Sequence, residues 1–94
     1  MPEKKNGFVK WFDAKKGYGF ISVADQDDVF VHFSNVNMDG FKKLDMGDEV
    51  EFELKKSKDG KGPEALNVIL SQRTEDIRVL TKIVLYFFYL LLFY

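Results

Sequence analysis

Residues 8–33, FVKWFDAKKGYGFISVADQDDVFVHF, hold the pattern that decides the fold. Three short runs rich in β-branched and aromatic residues, Phe8–Phe12, Tyr18–Val23 and Val29–Phe33, are separated by Lys15-Lys16-Gly17 and by the polar loop Ala24–Asp28. Such runs bounded by turn residues read as strands. Side chains alternate across a strand, so each run sorts into two faces. Val9, Ile21, Val29 and Val31 share one face, while Lys10, Phe12, Tyr18, Phe20, Phe30 and His32 share the other. Burying an unpaired ammonium or imidazole is costly. The aliphatic face is therefore the predicted core, and the aromatic face the predicted surface. Trp11 falls on the parity of Val9, and a bulge near Phe12 is expected to let both rings reach the surface.

Working outward, the loop Ser34–Gly47 contains two turn candidates, Asp39-Gly40 and Met46-Gly47. Glu49–Leu54 alternates strictly, with Val50, Phe52 and Leu54 on one face and Glu49, Glu51 and Glu53 on the other, the latter read as a solvated outer stripe. Lys58–Pro63 is glycine-rich and reads as a hairpin loop. Glu64–Leu70 completes five strands. The expected fold is all-β, a closed or nearly closed five-stranded antiparallel barrel, because closure removes edges that would otherwise pair with other chains.

A chain of 94 residues carries one domain with a short appendage at most. Residues 1–72 are read as that domain and 73–94 as a hydrophobic extension. Such a domain buries a limited core and is expected to be only marginally stable. There is no cysteine, which excludes disulfide staples and thiolate metal sites. Met1–Gly7 is polar and lysine-rich with no apolar stretch behind it, so no secretory signal is expected. The net charge of −1 counts against a binder that relies on bulk positive potential. An exposed aromatic patch flanked by lysines marks an interaction surface, and rings beside cations suit unpaired bases and their phosphates. Each stacked base is worth about 1–3 kcal/mol.

Other chemistry is poorly supported. With one histidine and no cysteine, a triad would need His32 to serve Ser22 or Ser34, and neither stands in a nucleophile elbow. Asp25-Gln26-Asp27-Asp28 lacks the glycine and the closing glutamate of a calcium loop and reads as a solvated turn. No enzyme activity, metal, cofactor or small-molecule substrate is expected.

The motifs Lys10-Trp11-Phe12, Lys16-Gly17-Tyr18-Gly19-Phe20-Ile21 and Val29-Phe30-Val31-His32-Phe33 resemble the opening motifs of bacterial cold-shock proteins, the last two resembling that family's two ribonucleoprotein motifs. The likeness continues through Asp39-Gly40-Phe41-Lys42 and Gly62-Pro63-Glu64-Ala65-Leu66-Asn67-Val68, and it covers about three quarters of the chain in order. It implies an oligonucleotide-binding-type barrel that takes single-stranded RNA and DNA. It further implies a cytoplasmic RNA chaperone and regulator of transcription and translation in the cold-shock or stress response. Carried over position by position, Trp11, Phe12, Tyr18, Phe20, Phe30, His32, Phe33 and Phe41 match base-stacking positions. Lys10 and Lys16 match backbone-contacting lysines, and Lys61 stands where a basic residue reaches the strand. Asp28 and Asn67 also fall on family positions. Asp13 departs from the usual asparagine and places a negative charge near the face, Tyr18 is a variant expected to stack as well as phenylalanine, and Phe8 extends the apolar patch.

The tail has no counterpart in that resemblance. Thr74 followed by Glu75-Asp76 reads as an N-cap and acidic first turn, which predicts a helix from Glu75 to Tyr94. Its uncharged run Ile83–Tyr94, with six aromatics, would span about 18 Å as helix, short of a bilayer crossing. Its β-branched and aromatic content also suits an aggregation-prone strand. Three readings stay open: membrane or interface anchoring, packing against a partner or a second copy, and an extension without a role. The alternative function is accordingly a membrane- or partner-tethered interaction module.

Overall fold

The structure is a computed structural model and describes residues 3–40, 42–56 and 62–93. Five strands, β1 (Glu3–Asp13), β2 (Tyr18–Ser22), β3 (Val29–His32), β4 (Glu49–Lys55) and β5 (Glu64–Gln72), precede one helix, α1 (Thr74–Leu92). The strands close into a barrel in the order β1-β2-β3-β5-β4. All five predicted strands are present. β1 is longer than expected because its first half, Glu3–Phe8, pairs with β4 while its second half pairs with β2.

The sheet is mixed, which corrects the expectation of a purely antiparallel barrel. β1 runs antiparallel to both β2 and β4, β2 to β3, and β4 to β5. Following these directions round the ring leaves β3 and β5 pointing the same way. An odd number of strands cannot alternate throughout a closed ring, so one seam must be parallel. It is the β3–β5 seam, where Phe30 pairs with Glu64, the Phe30 amide donates to the Pro63 carbonyl at 3.0 Å, and Val36 bridges Val68 beyond the strand end. The seam is short, since β3 gives way to a single 3-10 turn at Phe33–Asn35.

The predicted aliphatic face is the core. Val9, Ile21, Val29 and Val31 are buried with Val36, Leu44, Val50, Phe52, Ala65 and Val68. At about 25 cal/mol per Å² of apolar surface, each fully buried valine or isoleucine contributes roughly 1.5–3 kcal/mol, so this cluster holds the barrel shut. Leu54 is only partly buried at its rim.

The first helical residue of α1 is Thr74, with Arg73 in the cap position and no side-chain cap from within the helix. That differs from the expectation of Thr74 as N-cap. The Thr74 hydroxyl instead donates to the Met46 carbonyl at 3.0 Å, and the Thr74 amide donates to Asp48 Oδ1 at 3.0 Å. A barrel residue far away in sequence therefore satisfies a helix N-terminus that local pattern could not cap. No residue of α1 is buried. Among the described residues no helix is long and apolar enough to cross a membrane. The expected hairpin loop Lys58–Pro63 lies mostly outside the described residues.

Candidate nucleic-acid interface

One side of β1, β2 and β3 carries the aromatic side chains, and a bulge decides which of them. Val9 pairs with Ile21, but Trp11 pairs with Phe20, so the register slips by one residue between Val9 and Trp11. The extra residue, Lys10, moves Trp11 onto the outward parity. Phe12 then pairs with Gly19, a buried position, and packs half-buried against the core. The bulge thus lies at Lys10, two residues before Phe12, and only Trp11 of the two rings joins the outer face. Gly19 is required at this crossing. A Cβ there would run into the Trp11 carbonyl oxygen and stand 2.7 Å from the Phe12 Cα, so any side chain would force β1 off β2.

Four rings form a continuous surface. Trp11 lies 5.5 Å from Tyr18 and 5.4 Å from Phe20, Tyr18 lies 5.8 Å from Phe30, and Phe20 lies 5.7 Å from Phe30, between ring centroids. The register explains the closed square: Phe20 sits directly across from Phe30, and Tyr18 across from His32. Neighbours on one face at such spacing hold one another in edge-on or tilted contacts. Trp11 is 38% exposed, whereas Tyr18, Phe20 and Phe30 are half-buried at their flanks.

A second pair continues the surface past the end of β3. Phe33, 47% exposed, stands 4.6 Å from the His32 ring. The His32 imidazole is fixed by Ser34, its Nδ1 lying 2.8 Å from the Ser34 hydroxyl and 3.3 Å from the Ser34 amide. Gly17 has φ +80°, and a Cβ there would meet the Phe33 ring at 2.8 Å. The left-handed turn at Gly17 therefore both reverses the chain and leaves room for Phe33. Beyond Phe33, Ser34, Asn35, Val36, Asn37, Lys42, Leu66 and Asn67 line an open cleft of about 450 Å³.

The cations divide into two kinds. Lys10 Nζ is 2.7 Å from Asp28 Oδ2, so its charge is already partnered at the rim of the face. Lys16 is exposed next to the turn. Lys42, a residue that face-sorting did not reach because it lies in a loop, holds its ammonium 6.0 Å from the Phe33 ring centroid, within the range of a cation–π contact. Asp13 spends its charge locally: its Oδ1 accepts from the Lys15 amide at 2.9 Å and the Lys16 amide at 3.0 Å. The Lys16 amide bond, helped by that of Lys15 and by both lysine charges, holds the Asp13 carboxyl below its ordinary value. Of the predicted site residues, Lys10, Trp11, Lys16, Tyr18, Phe20, Phe30, His32 and Phe33 come together on or around this face, Phe12 does not, and Phe41 and Lys61 lie outside the described residues. Phe8, 52% exposed, lies further along β1 between Ser22 and Glu49.

Comparison with known proteins adds an independent line. Residues 5–71 match the family model described as the 'Cold-shock' DNA-binding domain. The chain is 54% identical over 65 residues to Cold shock protein CspA of Staphylococcus haemolyticus, a match covering 69% of this chain and 96% of that protein. It has the same identity and coverage with Cold shock protein CspA of Staphylococcus aureus strain USA300. Among solved structures it is similar to drosophila Unr CSD456, with a TM-score of 0.60 at 23% identity, covering 78% of this chain and 29% of that one. The chain spans less than a third of that structure, and at this identity the likeness is one of fold.

Proposed function

The chain belongs to the cold-shock domain family, a family of non-enzymatic nucleic-acid binders, and on that premise we propose that its aromatic face captures single-stranded RNA and DNA by base stacking. The observation that supports this most is the contiguous surface of Trp11, Tyr18, Phe20 and Phe30. Pyrimidines and purines all present a π-face, so such a platform binds unpaired bases with modest sequence preference. His32 and Phe33 extend the platform, and Lys16 and Lys42 stand at its margin for phosphates. Phe41 and Lys61 keep their place in the proposed site by family position. Phe12 supports the platform from beneath rather than stacking on a base.

The mechanism needs no nucleotide hydrolysis. A base that breathes out of a duplex is held on the rings, and mass action shifts the duplex toward single strands. That is the action of an RNA chaperone, and melted structure in a transcript changes how it is transcribed and translated, in the cytoplasm where such transcripts are made. Titration of Trp11 fluorescence tests the reading. Oligo-dT is expected to quench it with micromolar or tighter affinity, and a matched duplex much less. A folded sample unquenched by oligo-dT would sink the proposal.

A further inference from the structure

The aromatic face leaves α1 unexplained. Ile77, Val79, Leu80 and every residue from Ile83 to Phe93 except Leu90 are large apolar side chains at least 46% exposed. They are not evenly spread in kind. Ile77, Leu80, Val84, Phe87 and Leu91 recur at steps of three, four, three and four, which puts them in one seam of a helix. Glu75, Arg78, Lys82, Tyr86 and Tyr89 follow the opposite face and carry three of the four charges of α1 together with both of its hydroxyl-bearing rings.

We propose that the Ile77–Leu91 seam is a self-association surface, occupied by α1 of a second copy running antiparallel. The seam is self-complementary about Val84. In an antiparallel pair Val84 faces Val84, Leu80 faces Phe87 and Phe88, and Ile77 faces Leu91, so the smallest side chains meet at the centre, aliphatic meets aromatic on either side, and aliphatic meets aliphatic at the ends. Antiparallel pairing also sets the two helix dipoles head to tail and keeps the acidic first turns, Glu75 and Asp76, apart. Burying the exposed parts of the seam and its flanking Phe88 removes roughly 600 Å² per copy, about 1,200 Å² in all, which reaches the lower edge of stable interfaces. Eight of the 19 residues of α1 are valine, isoleucine, phenylalanine or tyrosine, which favour a helix less than its leucines do, and a helix of this length gains most of its stability in water from packing. The barrel supplies no such packing, since no residue of α1 is buried. It does fix where the helix starts, through the Thr74 amide on Asp48 and the Thr74 hydroxyl on the Met46 carbonyl.

A bilayer suits the same surface less well. The uncharged stretch after Lys82 reaches about 16 Å as far as Phe93, roughly half of a hydrocarbon core.

The test uses the full chain in sedimentation equilibrium at micromolar concentration, with Trp11 emission reporting that the barrel is intact. A dimer is expected for the parent. Leu80→Glu on the seam should give a monomer, and Tyr86→Glu on the opposite face should leave the dimer unchanged. Because the chain has no cysteine, Val84→Cys should yield a disulfide-linked dimer under mild oxidation while Leu91→Cys does not. A monomeric parent overturns the proposal, as do polydisperse aggregates insensitive to Leu80→Glu. Equal cross-linking at both positions overturns the antiparallel arrangement. A monomer that floats with phosphatidylcholine–phosphatidylglycerol vesicles would assign the seam to a membrane surface instead.

Discussion

Arg73 Nη1 lies 3.1 Å from Oδ2 of Asp48, a carboxylate whose side chain is 1% exposed. The same carboxylate accepts from the Asp45 amide at 2.9 Å and the Thr74 amide at 3.0 Å. Asp48 is thus the joint between the β3–β4 loop, the end of β5 and the start of α1. Asp48→Ala strips partners from three donors. It is expected to destabilise the barrel by about 1–3 kcal/mol, read as a lower urea midpoint with unchanged oligo-dT affinity in the folded protein. Arg73→Ala should cost less, about 0.5–1.5 kcal/mol, because the guanidinium is one-third exposed and the two amide bonds remain.

Phe20 and Phe30 face each other across β2 and β3 and neither belongs to the buried core. Phe20→Ala and Phe30→Ala should each weaken oligo-dT binding by about 1–3 kcal/mol while the fold is retained. Fluorescence titration alongside far-ultraviolet circular dichroism checks both halves of that statement. If either variant unfolds, the ring belongs to the core and the face has been assigned wrongly.

Asp13 gives the β1–β2 turn a pH dependence. Hydrogen bonding depresses its folded carboxyl below 3.8, so its stabilising contribution is fully present above that ordinary value. It is lost as pH falls through the lower, folded value. Asp13→Ala should therefore lower the thermal midpoint by a constant amount near neutrality, with the gap to the parent closing below pH 3.8. A gap that stays open in acid would mean the carboxylate is not what holds the turn.

The salt dependence of binding should be shallow, because only a few lysines neutralise phosphates. The chain carries a net charge of −1 and Lys10 is already paired with Asp28. With two to four phosphates neutralised, a log–log plot of affinity against salt should have a slope of about −1.4 to −2.8, at roughly −0.7 per phosphate for single strands. A much steeper slope would mean electrostatics lead and stacking follows.

Much of the fold was legible because strand alternation is a local rule. Val9, Ile21, Val29 and Val31 could be assigned to the core from their parity, and Tyr18, Phe20, Phe30 and His32 to the opposite face, without any knowledge of what they pair with. The family motifs sit in those same strands, so the main part of the candidate site was legible too. Phe12 was misplaced because a bulge resets parity, and its position depends on how β1 meets Gly19 across the sheet. Lys42 stands in a motif of the family but takes no role from alternation, because loop residues have none to sort them; its place beside Phe33 comes from the structure.

By itself the sequence determined five strands, an aliphatic interior and an aromatic exterior, all consequences of spacing within a few residues, while it left the tail open between helix and strand. Tertiary structure alone decided three things. Closing an odd number of strands made the β3–β5 seam parallel. The slip at Lys10 sent Trp11 outward and Phe12 inward. Asp48, brought to Thr74 by the closed barrel, capped a helix that had no cap of its own. Each depends on segments distant in the chain meeting in space, where closure, register and hydrogen-bond satisfaction override local pattern.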